Sequence, residues 1–355
     1  IVWLPCKQGY AHDKAISQNE KLILGEWMSV KQRNEYMEGY IFLPDGSCER
    51  KSGFWKTEEG ADQWGRITLF LGTKTTYKLE DHLLNIYDPG NTTWKSFKIF
   101  GISDDTLILQ HDNDVLLRYA KLHPTIDSTA LFDAVVISSS GCFGSCPINS
   151  TYLTKKGDVF YYGSSYNTFN GFFQSKVSSE LVAKIESDFK KAGVMRLNDS
   201  YAASHTDDET ITVTFIKNNR IVKTIRDYGR TSPAQFYWAY TPLRYLYQHI
   251  PLDTLEVPAY IHAEDFSFKV KNKELTLDLS SSEGFYLWNL LLQSQEVQKK
   301  STLDYVLLVR NKKLFKEIKT DGRFYELELT NNRQQTLDIG YNFFTENNLI
   351  KRFKK

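Results

Sequence analysis

Four cysteines in 355 residues are too few for a small disulfide-built scaffold. No run of apolar residues is long enough to cross a bilayer as a helix. Neither sign of charge dominates: 44 Lys and Arg against 43 Asp and Glu leave a net charge of +1. The basic stripe that a nucleic-acid interface requires is missing, so nucleic acid is not an expected partner. The short basic tail Lys351-Arg352-Phe353-Lys354-Lys355 reads as a solvated end. Also lacking are a Gly-x-Ser-x-Gly elbow, a His-Glu-x-x-His helix and a dinucleotide-type glycine turn, so the sequence implies no cofactor and no catalytic residue. Aromatic side chains are abundant, at 14% with 21 Tyr and 22 Phe. They favour pleated, half-buried surfaces and point to sheet. With 41% hydrophobic and 25% charged residues, the chain has the balance of a globular protein of two or three domains.

Ile1-Val2-Trp3-Leu4-Pro5-Cys6, followed by Lys7-Gln8-Gly9-Tyr10-Ala11, reads as the end of a secretory signal, with small residues Gly9 and Ala11 placed for cleavage. The expectation is an exported bacterial protein of the cell envelope: periplasmic, surface-exposed or secreted. Cys48, Cys142 and Cys146 then remain in the mature chain. An oxidising compartment favours a disulfide between Cys142 and Cys146, with Cys48 unpaired and buried. An extended chain would hold the two Cα atoms too far apart, so the loop must fold back, and Gly144 makes that bend inexpensive. A redox-active pair is the alternative. No helix starts at the first cysteine to lower a thiol pKa, and a zinc site would need two further ligands from scattered histidines.

The expected fold class is β-rich and multi-domain: an antiparallel lipocalin-like β-barrel followed by two α+β domains. After the N-terminal extension (1–21), residues 22–122 read as short strands with turns between them. These include Tyr40–Leu43, the turn Pro44-Asp45-Gly46, Ile67–Leu71, Leu83–Tyr87, Phe97–Ile99 and Thr106–Leu109. Even spacing of short strands means a barrel or sandwich. Leu24-Gly25-Glu26-Trp27 resembles the opening of lipocalin-like domains. That resemblance implies a Trp plugging one end of the barrel and a mouth able to take a small apolar ligand, with Trp27, Tyr40 and Trp94 as candidates. A barrel filled by its own side chains is the other reading.

A linker at His123–Ser128 leads into a segment placed at 130–252. It has a strand at Phe132–Ser138, a Gly/Ser-rich loop to Pro147, and strands at Ile148–Thr154 and Val159–Tyr162. A helix follows, capped by Ser178 or Ser179 and ended by Gly193, with Val182, Ile185, Phe189 and Ala192 on one face. Then come a hairpin (Thr210–Phe215, Ile221–Ile225) and two helical pieces opened by Ser232-Pro233 and Thr241-Pro242. Cys142-Phe143-Gly144-Ser145-Cys146-Pro147, Gly157-Asp158-Val159-Phe160-Tyr161-Tyr162-Gly163, Thr206-Asp207 with Thr210, Asp227-Tyr228 and Pro233 resemble the bacterial domain of unknown function 6438. No activity travels with that resemblance. A linker at Pro251–Pro258 precedes a C-terminal α+β segment, 259–355. It contains a hairpin (Phe266–Val270, Leu275–Leu279), a helix with a Ser280–Glu283 capping box, and strands at Tyr305–Val309, Phe324–Leu329 and Thr336–Phe343.

Two further clusters invite chemistry. His205, Asp207, Asp208 and Glu209 bring an imidazole and three carboxylates into five residues, as for cation binding or acid–base work, though a solvated loop is the plainer reading. Tyr237, Trp238 and Tyr245 lie off the apolar face Phe236, Tyr240, Leu243, Tyr247, Ile250, as a stacking platform or as packing against a neighbour. The sequence favours a non-catalytic binding or scaffolding protein for a small apolar ligand or an envelope protein. Its alternatives are an enzyme working through Cys142/Cys146 or His205/Asp207, and a purely structural envelope component.

Overall fold

The computed structural model describes residues 18–30, 37–59, 66–110, 115–257, 266–298, 302–308, 315–329 and 331–355. The signal-sequence reading, including Cys6, falls outside the described residues. Two compact units are present, one of 1–54 with 73–123 and one of 55–72 with 124–355. Among the described residues no helix is long and apolar enough to cross a membrane.

The first unit is a closed antiparallel barrel. A short helix α1 (Gln18–Leu22) leads into β1 (Gly25–Ser29), β2 (Gly39–Phe42) and β3 (Ser47–Arg50). The hairpin β4 (Trp55–Glu59) and β5 (Arg66–Phe70) intervenes before β6 (Lys74–Glu80), β7 (Leu83–Asp88), β8 (Thr93–Ile102), β9 (Thr106–Gln110) and β10 (Leu116–Leu122). Around the barrel the order is β1, β10, β9, β8, β7, β6, β3, β2 and back to β1. Strand period sets the lining: Leu84 and Ile86 on β7, Phe97 and Ile99 on β8, and Leu107 and Leu109 on β9 all point inward. Trp27 is fully buried among them, its indole N–H donating to the Ile23 carbonyl at 2.7 Å. Lys121 covers its ring at 4.9 Å. Tyr40 packs inside on Phe42 and Tyr119, with ring centroids 5.7 and 6.0 Å away. The Pro44–Gly46 turn forms as its residues require: Gly46 has φ 81°, and the Asp45 carboxylate accepts from the Ser47 N–H and hydroxyl. Cys48 is free and buried, and burial, with Glu49 beside it, pushes its thiol up to about 12.

Two sequence expectations for this segment change. Ile67–Leu71 is no barrel strand, because β3 pairs directly with β6 (Ser47 with Thr76) and the ring closes without it. The β4–β5 hairpin belongs to the second unit, where Trp55 and Phe70 cover Tyr245 at 5.0 and 5.7 Å. Gln248 fastens it with two hydrogen bonds, accepting from Phe70 N–H at 2.8 Å and donating to the Thr68 carbonyl at 2.9 Å. Trp94 lies on the outer face of β8, one residue out of phase with the inward Phe97 and Ile99. It stacks beneath Lys78 and beside Tyr87 and does not line the interior.

The second unit holds two more sheets. The strands of the first are β11 (Ala134–Ser139), β12 (Ile148–Thr154), β13 (Asp158–Ser165), β14 (Gly171–Lys176), β15 (Ser200–Ala202), β16 (Thr210–Lys217), β17 (Arg220–Tyr228) and β18 (Asp253–Thr254). Their order is β15-β17-β16-β11-β12-β13-β14-β18, and only β15 with β17 is parallel. Helices α2 (Ser179–Lys191) and α3 (Ala234–Arg244) cover one face through Val135, Ile137, Val213, Phe189 and Phe236. Ala134 and Val136 face the other way, towards α4 (Ser281–Leu292). Strands β11 and β16 are therefore buried on both faces, which explains their unbroken runs of buried residues, with Thr212, Thr214 and Ser138 among them.

The last sheet consists of β19 (Ser267–Val270), β20 (Thr276–Asp278), β21 (Gln295–Glu296), β22 (Tyr305–Leu308), β23 (Phe315–Thr320), β24 (Phe324–Leu329) and β25 (Gln334–Asp338). Phe268, Leu307, Tyr325 and Leu327 from it join Phe285, Leu287 and Trp288 of α4 in one core. Helix α4 is thus covered almost all round. The predicted capping box forms, with Ser280 accepting from Glu283 N–H and Glu283 from Ser280 N–H. The segments placed at 130–252 and 259–355 each carry a sheet, yet they pack as one unit because α4 serves both. The expected linker at 251–258 contributes β18, which pairs with β14.

Helix α3 is one helix, not two pieces. Thr241 does not cap a new helix; its hydroxyl donates back to the Tyr237 carbonyl at 2.8 Å, and Pro242 sits within the last turn. The strand expected over Thr336–Phe343 stops at Asp338. Asn342 then caps a short helix α5 (Phe343–Glu346), its side chain accepting from Thr345 N–H.

Candidate functional site

The Gly/Ser-rich loop leaves β11 at Ser139 and re-enters the sheet at β12 through Pro147. Cys142 and Cys146 are joined by a disulfide, with Cα atoms 5.7 Å apart. Gly144 carries the bend with φ 155°. The loop is also tied to the segment before β16: Phe143 N–H donates to the Asp207 carbonyl at 3.0 Å, and Ser140 N–H to the Thr210 carbonyl at 2.9 Å. In return Thr210 N–H donates to the Ser140 hydroxyl at 2.9 Å. At the tip, Phe143 is 90% exposed. A bare phenyl ring in water is unfavourable by roughly 1.5–3 kcal/mol relative to burial. Here it sits on a covalently closed, hydrogen-bonded loop that cannot turn it inward.

Beneath this loop lies a buried ion triad. Arg244, in the last turn of α3, meets Glu209 with both guanidinium nitrogens, at 2.7 and 2.6 Å, and also donates to the Pro147 carbonyl at 3.3 Å. Arg230 adds a second guanidinium to Glu209 at 3.0 Å. Glu209 is 1% and Arg244 3% exposed. Burial works to raise the Glu209 pKa, but the two guanidinium groups win and hold it below the usual carboxylate range. A second buried carboxylate, Asp227, is satisfied by Thr231 and Ser232 N–H, the Ser232 hydroxyl and the Tyr240 hydroxyl, at 2.5–3.1 Å. Asn149 and Asn167 pair at 2.8 Å on the other side, and Ser139 donates to the Pro147 carbonyl at 2.6 Å. The turn after Asp227 needs Gly229: its φ is 70°, and a Cβ there would come 2.7 Å from the Ala203 side chain.

The structure separates the acidic cluster. Glu209 points inward to the arginines, while His205 and Asp208 pair with each other at the surface, 3.1 Å apart. Asp207 has φ 69°, and its carbonyl takes the Phe143 N–H. Residues 205–209 form a bend before β16, with Asp207 in the left-handed region, and this turn sends Glu209 inward and His205 and Asp208 outward, so they do not converge on one point. No group of three or more His, Cys, Asp or Glu placed to hold a metal occurs among the described residues. Tyr237, Trp238 and Tyr245 form no open platform either. Trp238 and Tyr245 are 6% and 3% exposed, and Tyr237 packs edge-on against Tyr240. Of the barrel candidates, Trp27 and Tyr40 are core and Trp94 is outside.

Arg230, Arg244, Asp227, Asn149 and Asn167 are the residues that sequence reasoning misses. One signal existed: Arg244 stands between Leu243 and Tyr245 in a helix apolar on every side. A cation there cannot reach water and must find a carboxylate. As chemistry, a carboxylate held by two guanidiniums is a poor base, and paired sulfurs offer no thiolate. The arrangement holds a loop in one shape.

The site therefore defines a class of element, a disulfide-closed aromatic loop braced from below by buried ions. Residues 133–247, which contain all of it, match the family model described as a domain of unknown function (DUF6438). Neither the curated proteins nor the solved structures compared with the chain gave a match.

Reduction of Cys142–Cys146 should lower the stability of the second unit by about 2 kcal/mol on the chain-entropy estimate for so short a loop. For a unit of this size that is a fall of about 4–8 °C in Tm. Calorimetry with and without a phosphine reductant measures it. An unchanged Tm after verified reduction would show that the bridge contributes nothing to the fold.

Proposed function

We propose that the chain is an exported, non-catalytic binding or scaffolding protein of the bacterial cell envelope, and that it engages an envelope protein through the Cys142–Cys146 loop. The observation that carries this reading is Phe143, 90% exposed on a loop with no freedom to withdraw it. Rigid aromatic anchors on pre-organised loops dominate binding energy, because little side-chain entropy is lost when they are buried. The disulfide supports export, since bridges of this kind persist in oxidising compartments.

The barrel supports a finer reading as a lipocalin-like module, through its eight antiparallel strands, the helix before β1 and the Trp27 plug. Buried Trp27, Tyr40, Phe42, Phe97 and Tyr119 occupy its interior, which favours a scaffold over a ligand carrier.

The test is a photo-crosslinking amino acid placed at Phe143 in the cells that make the protein, with Val222, 44% exposed on β17, as the control position. A discrete adduct from position 143 is expected, absent from 222 and lost in Cys142→Ser/Cys146→Ser. No adduct at 143, or the same adducts at both positions, would refute the reading.

A further inference from the structure

We propose that a cleft on the α4 side of the middle sheet, lined by no residue of the disulfide loop, is a binding site for a neutral oligosaccharide. The cleft has a volume of about 440 Å³ and is open to solvent, within the size range of small-molecule sites. Its floor is the cross-strand pair Tyr152 on β12 and Phe160 on β13. Their rings are nearly parallel, 22° apart with centroids 6.0 Å from each other. Tyr152 is held in place by the edge of Tyr286 from α4, also at 6.0 Å. This parallel aromatic pair offers apolar ring surface to the C–H face of a pyranose ring.

The walls supply the complementary polarity. Gln174 comes from β14, Asp253 from the paired β18, and Gln293 from the C-terminal cap of α4. None of the polar side-chain atoms of these three residues has a partner among the described residues. Each presents two polar atoms in one plane, amide donor beside acceptor or two carboxylate oxygens, the spacing that grips neighbouring hydroxyl groups. The remaining charges are already spent: Lys176 binds Asp158 at 2.6 Å, and Thr154 donates to the same carboxylate at 3.0 Å. Among the described residues that line it, the cleft has one unpaired carboxylate and no free cation, which disfavours phosphates and other anions. Its polar rim disfavours a purely apolar ligand. A polyhydroxylated ring with one apolar face satisfies both surfaces.

Three trisaccharides serve as probes: cellotriose, maltotriose and triacetylchitotriose, each mixed with the full chain for saturation-transfer NMR. Transfer to the ring C–H protons of at least one of them is expected. Gln174→Ala and Gln293→Ala, both at exposed positions, should each weaken that binding by about tenfold, through loss of paired hydrogen bonds. Phe160→Ala should abolish it while the circular dichroism is retained. Phe143→Ala should leave it intact, so this site and the loop stand or fall separately. Absence of transfer from all three sugars, or transfer unaltered in both glutamine variants, would overturn the proposal.

Discussion

Glu209→Gln is expected to lower the stability of the second unit by about 3–5 kcal/mol, the range for breaking a buried ion pair from one side. The loss comes mainly from what is left behind. Arg244 remains a buried cation facing an amide, and Arg230 loses its carboxylate partner among the described residues. The companion variant Glu209→Leu/Arg244→Met replaces the pair with apolar groups of similar size and should recover much of the loss. The pH dependence has a definite sign. Glu209 is held below the ordinary carboxylate value in the folded state, so its contribution is complete above the unfolded value near ~4.3. That contribution disappears as pH falls through the depressed folded value. Urea unfolding at pH 7 and again at pH 3 should show wild type losing this portion and Glu209→Gln lacking it from the start. Equal acid sensitivity in both proteins would mean that the triad is not what the carboxylate stabilises.

In the barrel, the largest effect is expected from Trp27→Ala. Removing a fully buried indole leaves a cavity in a closed sheet that cannot collapse, at a cost of about 3–5 kcal/mol. The hydrogen bond to the Ile23 carbonyl, which anchors the chain entering β1, goes with it. Cys48 offers a local reporter, being a free thiol inside the same core with a pKa pushed up to about 12 by burial. Its labelling by a thiol reagent requires the barrel to open. The labelling rate should rise on the order of 10²–10³-fold in Trp27→Ala, in line with the lost free energy. A rate unchanged within a factor of about two would show that Trp27 does not hold the barrel shut.

How far the sequence reveals this molecule depends on the range of the interactions. The barrel strands show because alternation and turn chemistry are local: Pro44-Asp45-Gly46 makes its turn with its own side chains, and Leu84/Ile86 or Leu107/Leu109 mark one face by parity alone. The capping box at Ser280 and the helix stop at Gly193 are local in the same way. The Trp55–Phe70 hairpin has equally good strand pattern, but nothing in it says which sheet or unit it joins. That was decided by Tyr245 and Gln248, almost two hundred residues away. Thr241-Pro242 looks like a helix start, and it reads otherwise only because Thr241 can bond backwards while packing keeps α3 continuous. Trp94 is misplaced by a single step of strand parity.

The candidate site divides along the same line. The Cys142–Cys146 clip spans five residues and could be inferred from the bend it demands. The triad beneath it joins positions 209, 230 and 244, from the start of β16, the turn after β17 and the end of α3, so it exists only once the sheet order is known. Without that order, Glu209 reads as one more member of an exposed acidic run. With it, Glu209 is the most deeply paired carboxylate of the site. It braces a loop whose tip exposes the Phe143 ring.

The decisive measurement is peptide mapping under non-reducing conditions of protein taken from the cells that make it, with free thiols blocked at lysis. Recovery of the peptide carrying positions 142 and 146 as a single internally bridged species is predicted, because the bend is a permanent brace for Phe143. A substantial fraction carrying the blocking reagent on both sulfurs would contradict the account and point to a pair that cycles.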